Sequence, residues 1–511
     1  MDNFITKHRE KITGVISIFD RIIFKGHLFF RYPGAVEDFI ARQGFLLKDF
    51  KGFVKNRSEE IKANAMAMAQ HAGRPYSYFN HGIRKEKEAR RIARRDGITK
   101  GLICIFAVRE QNRSFSMRYG ENRPRLVSSN PPCLTLYFYF IDDHMGFMHI
   151  RLSTWLPYTV QVYSNGHEWL ARQLDRKGIG YEKTDNAFIR IDDDKRAQNI
   201  ADTFTHQKWE KILHGFARRV NPLLSGVLKG HEYYWVTDQA EFATDILFST
   251  RVALKELYQN IQRHAAVCIR AEDIMQFLGT KLHGSFTGEL VTELKKRWPG
   301  ARIKHRVRDN WIKMYDKYGI VLRVETVIND PHAFRIRRHG IRKGKKVIDW
   351  FPMAKRVTNL YRYTQICSAA NTQYIAALAV VEDPAGAYNS LHRVSKPLHG
   401  EKRNARALNL LNPHDGALCR AVMRGENAVN GFRLGNVADY LGVGQCDDPK
   451  ERIRQRARLG RRLKLLHAHG LIRKIPHSRR YRVTQLGLQI MGAALYLYDH
   501  HMPQLIMNQA A

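Results

Sequence analysis

Between Leu434 and Gly487 the hydrophobic positions change their period twice, and each change marks a new element. Val437, Ala438, Tyr440 and Leu441 fit a short helix and Gly442 and Gly444 a turn. Pro449 to about His469 fits a second helix with Ile453, Leu459, Leu463 and Leu466 as its inward row. Gly470 closes that helix. Leu471 to Arg473 then reads as a strand, Pro476 to Ser478 as a turn and Arg480 to Val483 as the returning strand. Upstream, LTLYFYFI after the Pro131-Pro132 pair and FMHIRLSTWLPYTVQVY predict sheet strands, with a helix starting at Asn165-Gly166. Residues 302–308 and 311–316 alternate across a tight Asp309-Asn310 turn, and a third strand follows Gly319. The pattern adds an apolar, strand-like run from Val15 to Phe24 and a strand from Leu102 to Val108. Helices are expected over Phe248 to Tyr258, Asp273 to Phe277 and Met353 to Val381.

Charge changes this picture most. The 511 residues carry 85 Lys and Arg against 48 Asp and Glu, a formal net charge of +37, which is more than solubility requires. A polyanion is the natural partner. The excess recurs in a basic helix at Arg84 to Arg95 and in residues 302–308, 335–346 and 402–406, so a long cationic track is expected. No apolar run of about 18 residues is present to span a bilayer, and the N-terminus lacks a signal-peptide core. A cytoplasmic, nucleoid-associated protein with no membrane partner is therefore expected. Six widely spaced cysteines give no CxxC pattern and read as reduced thiols.

The strongest candidate for chemistry is RIKHRVRDNWIKMYDKYGIVLRVETVIND. Alternation puts Lys313 and Tyr315 on one face of their strand, and Val321, Arg323, Glu325 and Val327 on one face of the next. If the faces coincide, Glu325, with Asp316 or Asp330 near the strand ends, could hold a divalent ion, Mg or Mn. Tyr315 could attack or orient a phosphate and Lys313 supply charge. The bland alternative is a basic sheet in which Glu325 pairs with Arg323 or Lys313. A second group, His149, Arg151, Gln161 and Tyr163, precedes a helix start at Asn165 to Glu168 whose amides could receive a phosphate. Trp155 and Trp169 could stack a base, although buried core aromatics are commoner. No organic cofactor is expected.

The Leu434–Gly487 stretch resembles the winged-helix family of bacterial DNA-binding domains, including regulators of the multiple-antibiotic-resistance type. That resemblance implies DNA contacts from Arg454, Arg458, Arg461, Arg462 and Lys464 on the helix and from Arg473, Lys474, Arg479, Arg480 and Arg482 on the wing. Arg91, Arg94, Arg95, Arg337, Arg338 and Lys345 extend the basic surface. "KMYDK" followed by "LRVE" is similar to the paired strands of plasmid and filamentous-phage replication-initiation and relaxase proteins, which nick one strand through a tyrosine and a divalent metal. The His-x-His pair of such nickases is replaced here by His149-Ile150-Arg151. ISIFDRIIFKGHL resembles the opening of integrase and ribonuclease-H-like enzymes, which implies Asp20 as a metal ligand with Asp238, Glu241 and Asp245 as partners. FDRIIFKG, SNGHEWLARQL, YDKYGIVLRVETVIND and HGLIRKIPHSRRYRVT together resemble a widespread set of bacterial proteins with no assigned activity, with a mobile-element origin implied.

These readings predict an α+β multidomain chain, with mixed or antiparallel central sheet regions and helices followed by a C-terminal winged-helix domain. The expected regions are 1–125 (N-terminal α/β with the basic helix), 126–228 (β-rich) and 229–348 (helices and basic meander), then 349–408 (long helix and basic linker) and 409–511 (winged helix). The expected function is DNA binding with metal-dependent nicking, cleavage or transfer of a strand. The alternative is a non-catalytic DNA- or RNA-binding protein. DNA is the expected partner, structured RNA the alternative, and a homo-oligomer is compatible with either.

Overall fold

The computed structural model describes the chain except residues 31, 80–83, 120–123, 268, 270, 280–289, 297–300, 343, 380–393, 399–404, 411, 425–426, 428–430, 477 and 501–511. The protein is α+β and divides into two compact units, each discontinuous in sequence. One comprises Gly14–Thr244 and Val327–Gln365, the other Met1–Thr13, Asp245–Thr326 and Ile366–Ala511.

In the unit beginning at Gly14 the frame is a mixed sheet. Its strands run in the order Tyr234–Phe248, Ile12–His27, Val160–Ser164, Gly146–Ser153, Pro132–Asp142, Gly101–Gln111 and Tyr76–Tyr78. The pairings from Ile12–His27 to Gly101–Gln111 are antiparallel, and the Tyr76–Tyr78 edge is parallel. LTLYFYFI is aliphatic or aromatic at every position but Thr135 because helices cover both of its faces. Helix Lys85–Arg95 lays Ala89, Ile92 and Ala93 on Phe106, Tyr139 and Phe147. On the opposite face Arg219, from helix Trp209–Val220, lies over Phe140, and Trp209 packs on Phe24. Helix Gly166–Lys177 begins where the Asn165 side chain accepts the amides of His167 and Glu168 at 2.8 and 3.2 Å.

The other unit is framed by an antiparallel meander, Leu290–Lys296, Ala301–Val307, Asn310–Lys317 and Val321–Ile328. Helix Leu360–Leu378 locks it. Thr326 donates to the Asn371 side chain at 2.7 Å, and the Tyr374 hydroxyl meets Nε2 of buried His305 at 3.0 Å. Burial pushes the His305 imidazole down to about 4, so it sits there neutral. The C-terminal segment packs around Leu418, Val422, Phe432, Val437, Leu459, Leu463, Leu466, Ile472 and Ile490. Its elements are helix Pro413–Val422, a bridge from Phe432 to Tyr481, helices Leu434–Tyr440 and Pro449–Ala468, the ribbon Ile472–Lys474 with Tyr481–Val483, and helix Gln485–His500.

Several expectations change. Ile453 is 70% exposed, because it lies off the i, i+4, i+7 row that Leu459, Leu463 and Leu466 bury. The long helix starts at Leu360 rather than Met353. The Thr237 amide bonds the Lys355 carbonyl and Val236 bridges Arg356, which holds 353–356 extended, and residues 380–381 lie outside the described chain. Phe248 ends a strand, and the helix expected there begins at Arg251. The meander turn falls at Arg308-Asp309, with Asn310 already paired to Val307. Residues 335–352, read only as basic, form a two-stranded ribbon.

A Cβ on Gly166 would collide with the Phe19 carbonyl, whereas one on Gly52, inside helix Phe50–His71, would meet nothing within 4 Å. Gly166→Ala is therefore expected to destabilise by about 1–3 kcal/mol. Gly52→Ala should stabilise by about 0.5–1 kcal/mol. Urea midpoints of the two variants against wild type measure both, and equal effects would contradict the assigned packing.

Candidate nucleic-acid interface and carboxylate clusters

Helix Pro449–Ala468 is set by Asp448, whose side chain accepts the Lys450 amide, by Pro449 in its first turn and by the buried Leu459, Leu463 and Leu466. Gly470, at φ 71, ends it, and the Leu471 amide returns to the Leu466 carbonyl at 3.0 Å. With that row committed to the core, the cations take the remaining faces. Arg462 turns inward to the His414 carbonyl and to Asp415 at 3.5 Å, and Arg480 donates to the Gly431 carbonyl at 3.2 Å. Arg454 has Glu451 at 3.9 Å. Arg458, Arg461, Lys464, Arg473, Lys474, Arg479 and Arg482 are exposed, and among the described residues no hydrogen bond or ion pair engages them. Arg473 lies directly opposite Arg482 in the ribbon, a like-charge pair that disfavours the ribbon unless an anion meets it.

Of the remaining basic candidates, Arg91 is paired with Glu88 and Arg95 with Asp96, each at 2.6 Å, while Arg94 is exposed. Arg337 and Lys345 are exposed on the 335–352 ribbon, where Arg338 donates to the Pro352 and His339 carbonyls.

In the meander the structure brings Lys313, Tyr315 and Glu325 onto one face. Tyr315 donates to Glu325 at 2.7 Å and the Lys313 ammonium lies 2.9 Å from its other oxygen. Arg323, fully buried, reaches Glu325 at 3.6 Å and grips both oxygens of buried Asp245 at 2.6 Å. Glu325 is 1% exposed. Asp316, one residue from Tyr315, points to the other side and accepts the Gly319 amide at 2.8 Å, and Asp330 caps the turn at His332. Neither joins Glu325. The group is a charge-matched buried network rather than an open phosphate site.

In the unit beginning at Gly14, Asp20 and Glu241 are each 8% exposed and offer carboxylate oxygens within 4.8 Å of one another. Asn186 donates to Asp20 at 2.6 Å, and Nδ1 of buried His167 lies 3.3 Å from it. Oxygen donors at this spacing are compatible with a metal ion. The helix start at Asn165 does not receive a phosphate. Its side chain occupies the His167 and Glu168 amides, and Asn165 and His167 are buried. His149 stacks on Tyr163 at 4.8 Å, and burial together with Arg21, Lys85 and Arg151 pushes it down to about 3. Arg151 is bound to Glu110, Tyr137 and Asn112. Trp169 is a core residue at 1% exposure. Cys104, Cys133, Cys367 and Cys419 are buried free thiols and Cys446 a half-buried one.

Sequence reasoning missed Asn186 and the role of Asp245 as the partner of Arg323, since neither follows from local spacing. No family model, curated protein or solved structure matches the chain.

Asp245→Asn leaves the Arg323 guanidinium buried without its bidentate acceptor and is expected to cost about 3–5 kcal/mol. Replacing both, Asp245→Leu with Arg323→Met, should recover most of that loss. Chemical denaturation checks both variants, and a loss under about 1 kcal/mol for Asp245→Asn would show that the network does not hold this unit together.

Proposed function

We propose that the chain is a duplex-DNA-binding protein whose C-terminal segment docks as a winged helix. The order helix, single strand bridge, helix, helix, ribbon supports this reading, with Pro449–Ala468 as the recognition helix and the ribbon as the wing. One observation carries it, namely the set of unengaged cations on that helix and ribbon, Arg473 facing Arg482 among them. Arg461 and Arg479 meet phosphates or guanine edges, whereas Arg462 and Arg480 brace the fold. Such a protein would reside on the nucleoid. No helix among the described residues is long and apolar enough to cross a membrane.

Affinity for duplex DNA should fall steeply with salt, each phosphate contact adding about −0.9 to the log–log slope. Arg461→Ala and Arg479→Ala should each weaken binding by roughly 1 kcal/mol and flatten the slope by about one contact. Arg462→Ala should lower the melting temperature and leave the slope alone. A wild-type slope shallower than about −3 would overturn the reading.

The Asp20 and Glu241 pair favours a second reading, metal-dependent cleavage or transfer of a strand. Both carboxylates would hold a Mg or Mn ion, which when bound would supply Lewis-acid activation of a phosphate or water. Asp20→Asn and Glu241→Gln should each abolish Mn²⁺ binding in titration calorimetry with the fold retained. Binding that survives in both variants would remove the site.

A further inference from the structure

We propose that the ribbon Arg335–Arg342 with Lys345–Pro352 is a second DNA contact, lying in the major groove of a B-form duplex. The two strands pair only with each other, in unbroken register from Arg335↔Pro352 to Arg342↔Lys345. Directly opposed residues share a face, so the ribbon has two distinct sides. On one side most side chains engage each other, while Lys345 is exposed. The Phe351 ring lies against Gly340, where a Cβ would collide with it, Arg338 stacks on Phe351 at 5.1 Å, and Arg342 pairs with Asp349. The other side carries Arg337 opposite Trp350, His339 opposite Ile348 and Ile341 opposite Lys346. Nothing covers it among the described residues, with Trp350 59%, Ile348 54% and Ile341 70% exposed.

Charge and shape together select the occupant. The only acid of the ribbon, Asp349, is on the other side and already held by Arg342, so the exposed side carries Arg335, Arg337 and Lys346 with no acid among them. Arg337 opposite Trp350 and Lys346 opposite Ile341 intersperse cations with the apolar side chains Trp350, Ile348 and Ile341, a mixture that suits a nucleic-acid groove offering both phosphates and base edges. A two-stranded ribbon fits the major groove of B-DNA, where Arg reads guanine N7 and O6 and apolar side chains meet thymine methyls. The deep, narrow major groove of duplex RNA excludes it. The inference rests on the duplex-DNA reading of the chain and adds a second, separately placed contact to it.

The test is methylation protection of guanine N7, which lies in the major groove, on a duplex carrying bound full-length protein. Wild type should protect two groups of guanines. Arg337→Ala with Trp350→Ala should lose one group and bind about ten-fold more weakly, while Arg461→Ala with Arg479→Ala should lose the other. Protection and affinity unchanged in the ribbon variant overturn the ribbon contact and leave the winged-helix reading standing. Loss of adenine N3 protection in place of guanine N7 overturns the major-groove placement. Failure of wild type to bind duplex at low salt sinks both readings. Binding to phosphatidylserine vesicles that the ribbon variant alone loses, with duplex binding intact, replaces DNA by a membrane and overturns the proposal.

Discussion

Arg323 is a permanent cation at 0% exposure, and the unit that contains it is organised around matching that charge. An unmatched guanidinium there would cost several kcal/mol, so a carboxylate had to be delivered to it with both oxygens aligned. Asp245 does this from the end of strand Tyr234–Phe248. Glu325, two residues along the same strand as Arg323, takes up the adjoining space and is itself held by Lys313 and Tyr315. Every member projects from a strand. A slip of one residue in register would turn each of them to the opposite face and leave the charges unmatched, so the network specifies pairing as well as stabilising it.

The same constraint accounts for where the positive charge is left over. With 48 acids for 85 Lys and Arg, carboxylates are too few to neutralise every cation, and the fold places them where burial makes them necessary. Glu110 serves both Lys85 and Arg151, and Glu168 serves Arg90 and Lys183. On helix Pro449–Ala468 and the ribbon after it, where solvent screens the charge, several cations go without. Unengaged cations among the described residues include Arg458, Arg461, Lys464, Arg473, Lys474, Arg479 and Arg482 on helix Pro449–Ala468 and the ribbon after it.

Much of the local architecture was legible because it depends on short-range pattern. Alternation put Lys313 with Tyr315 and Arg323 with Glu325, and both pairs do share their faces. The helix at Asn165 and the elements from Leu434 to Val483 follow from caps, glycines and period alone. What escaped was what sequence-distant partners decide. Strand Tyr234–Phe248 was hidden because Asp238, Glu241 and Asp245 break its apolar run, and those acids are tolerated only because other segments meet them. Residues 353–356 read as helix until Val236 and Thr237 claim their backbone. The alternation of 335–352 was obscured because Arg and Lys fill both faces, which leaves hydrophobicity no phase to report.

The candidate catalytic residues separate by the same reasoning. A carboxylate that must bind a cation from solution has to keep its negative charge available, and Glu325 has instead been given an ammonium at 2.9 Å and a phenol at 2.7 Å. Holding Mg or Mn there would require displacing Lys313 within a buried network, at a cost set by desolvation of both ions. Asp20 and Glu241 stand differently. Their carboxylate oxygens lie within 4.8 Å of one another, and Asn186 and His167 both meet Asp20. The tyrosine of the meander is better understood as part of what holds its sheet in register.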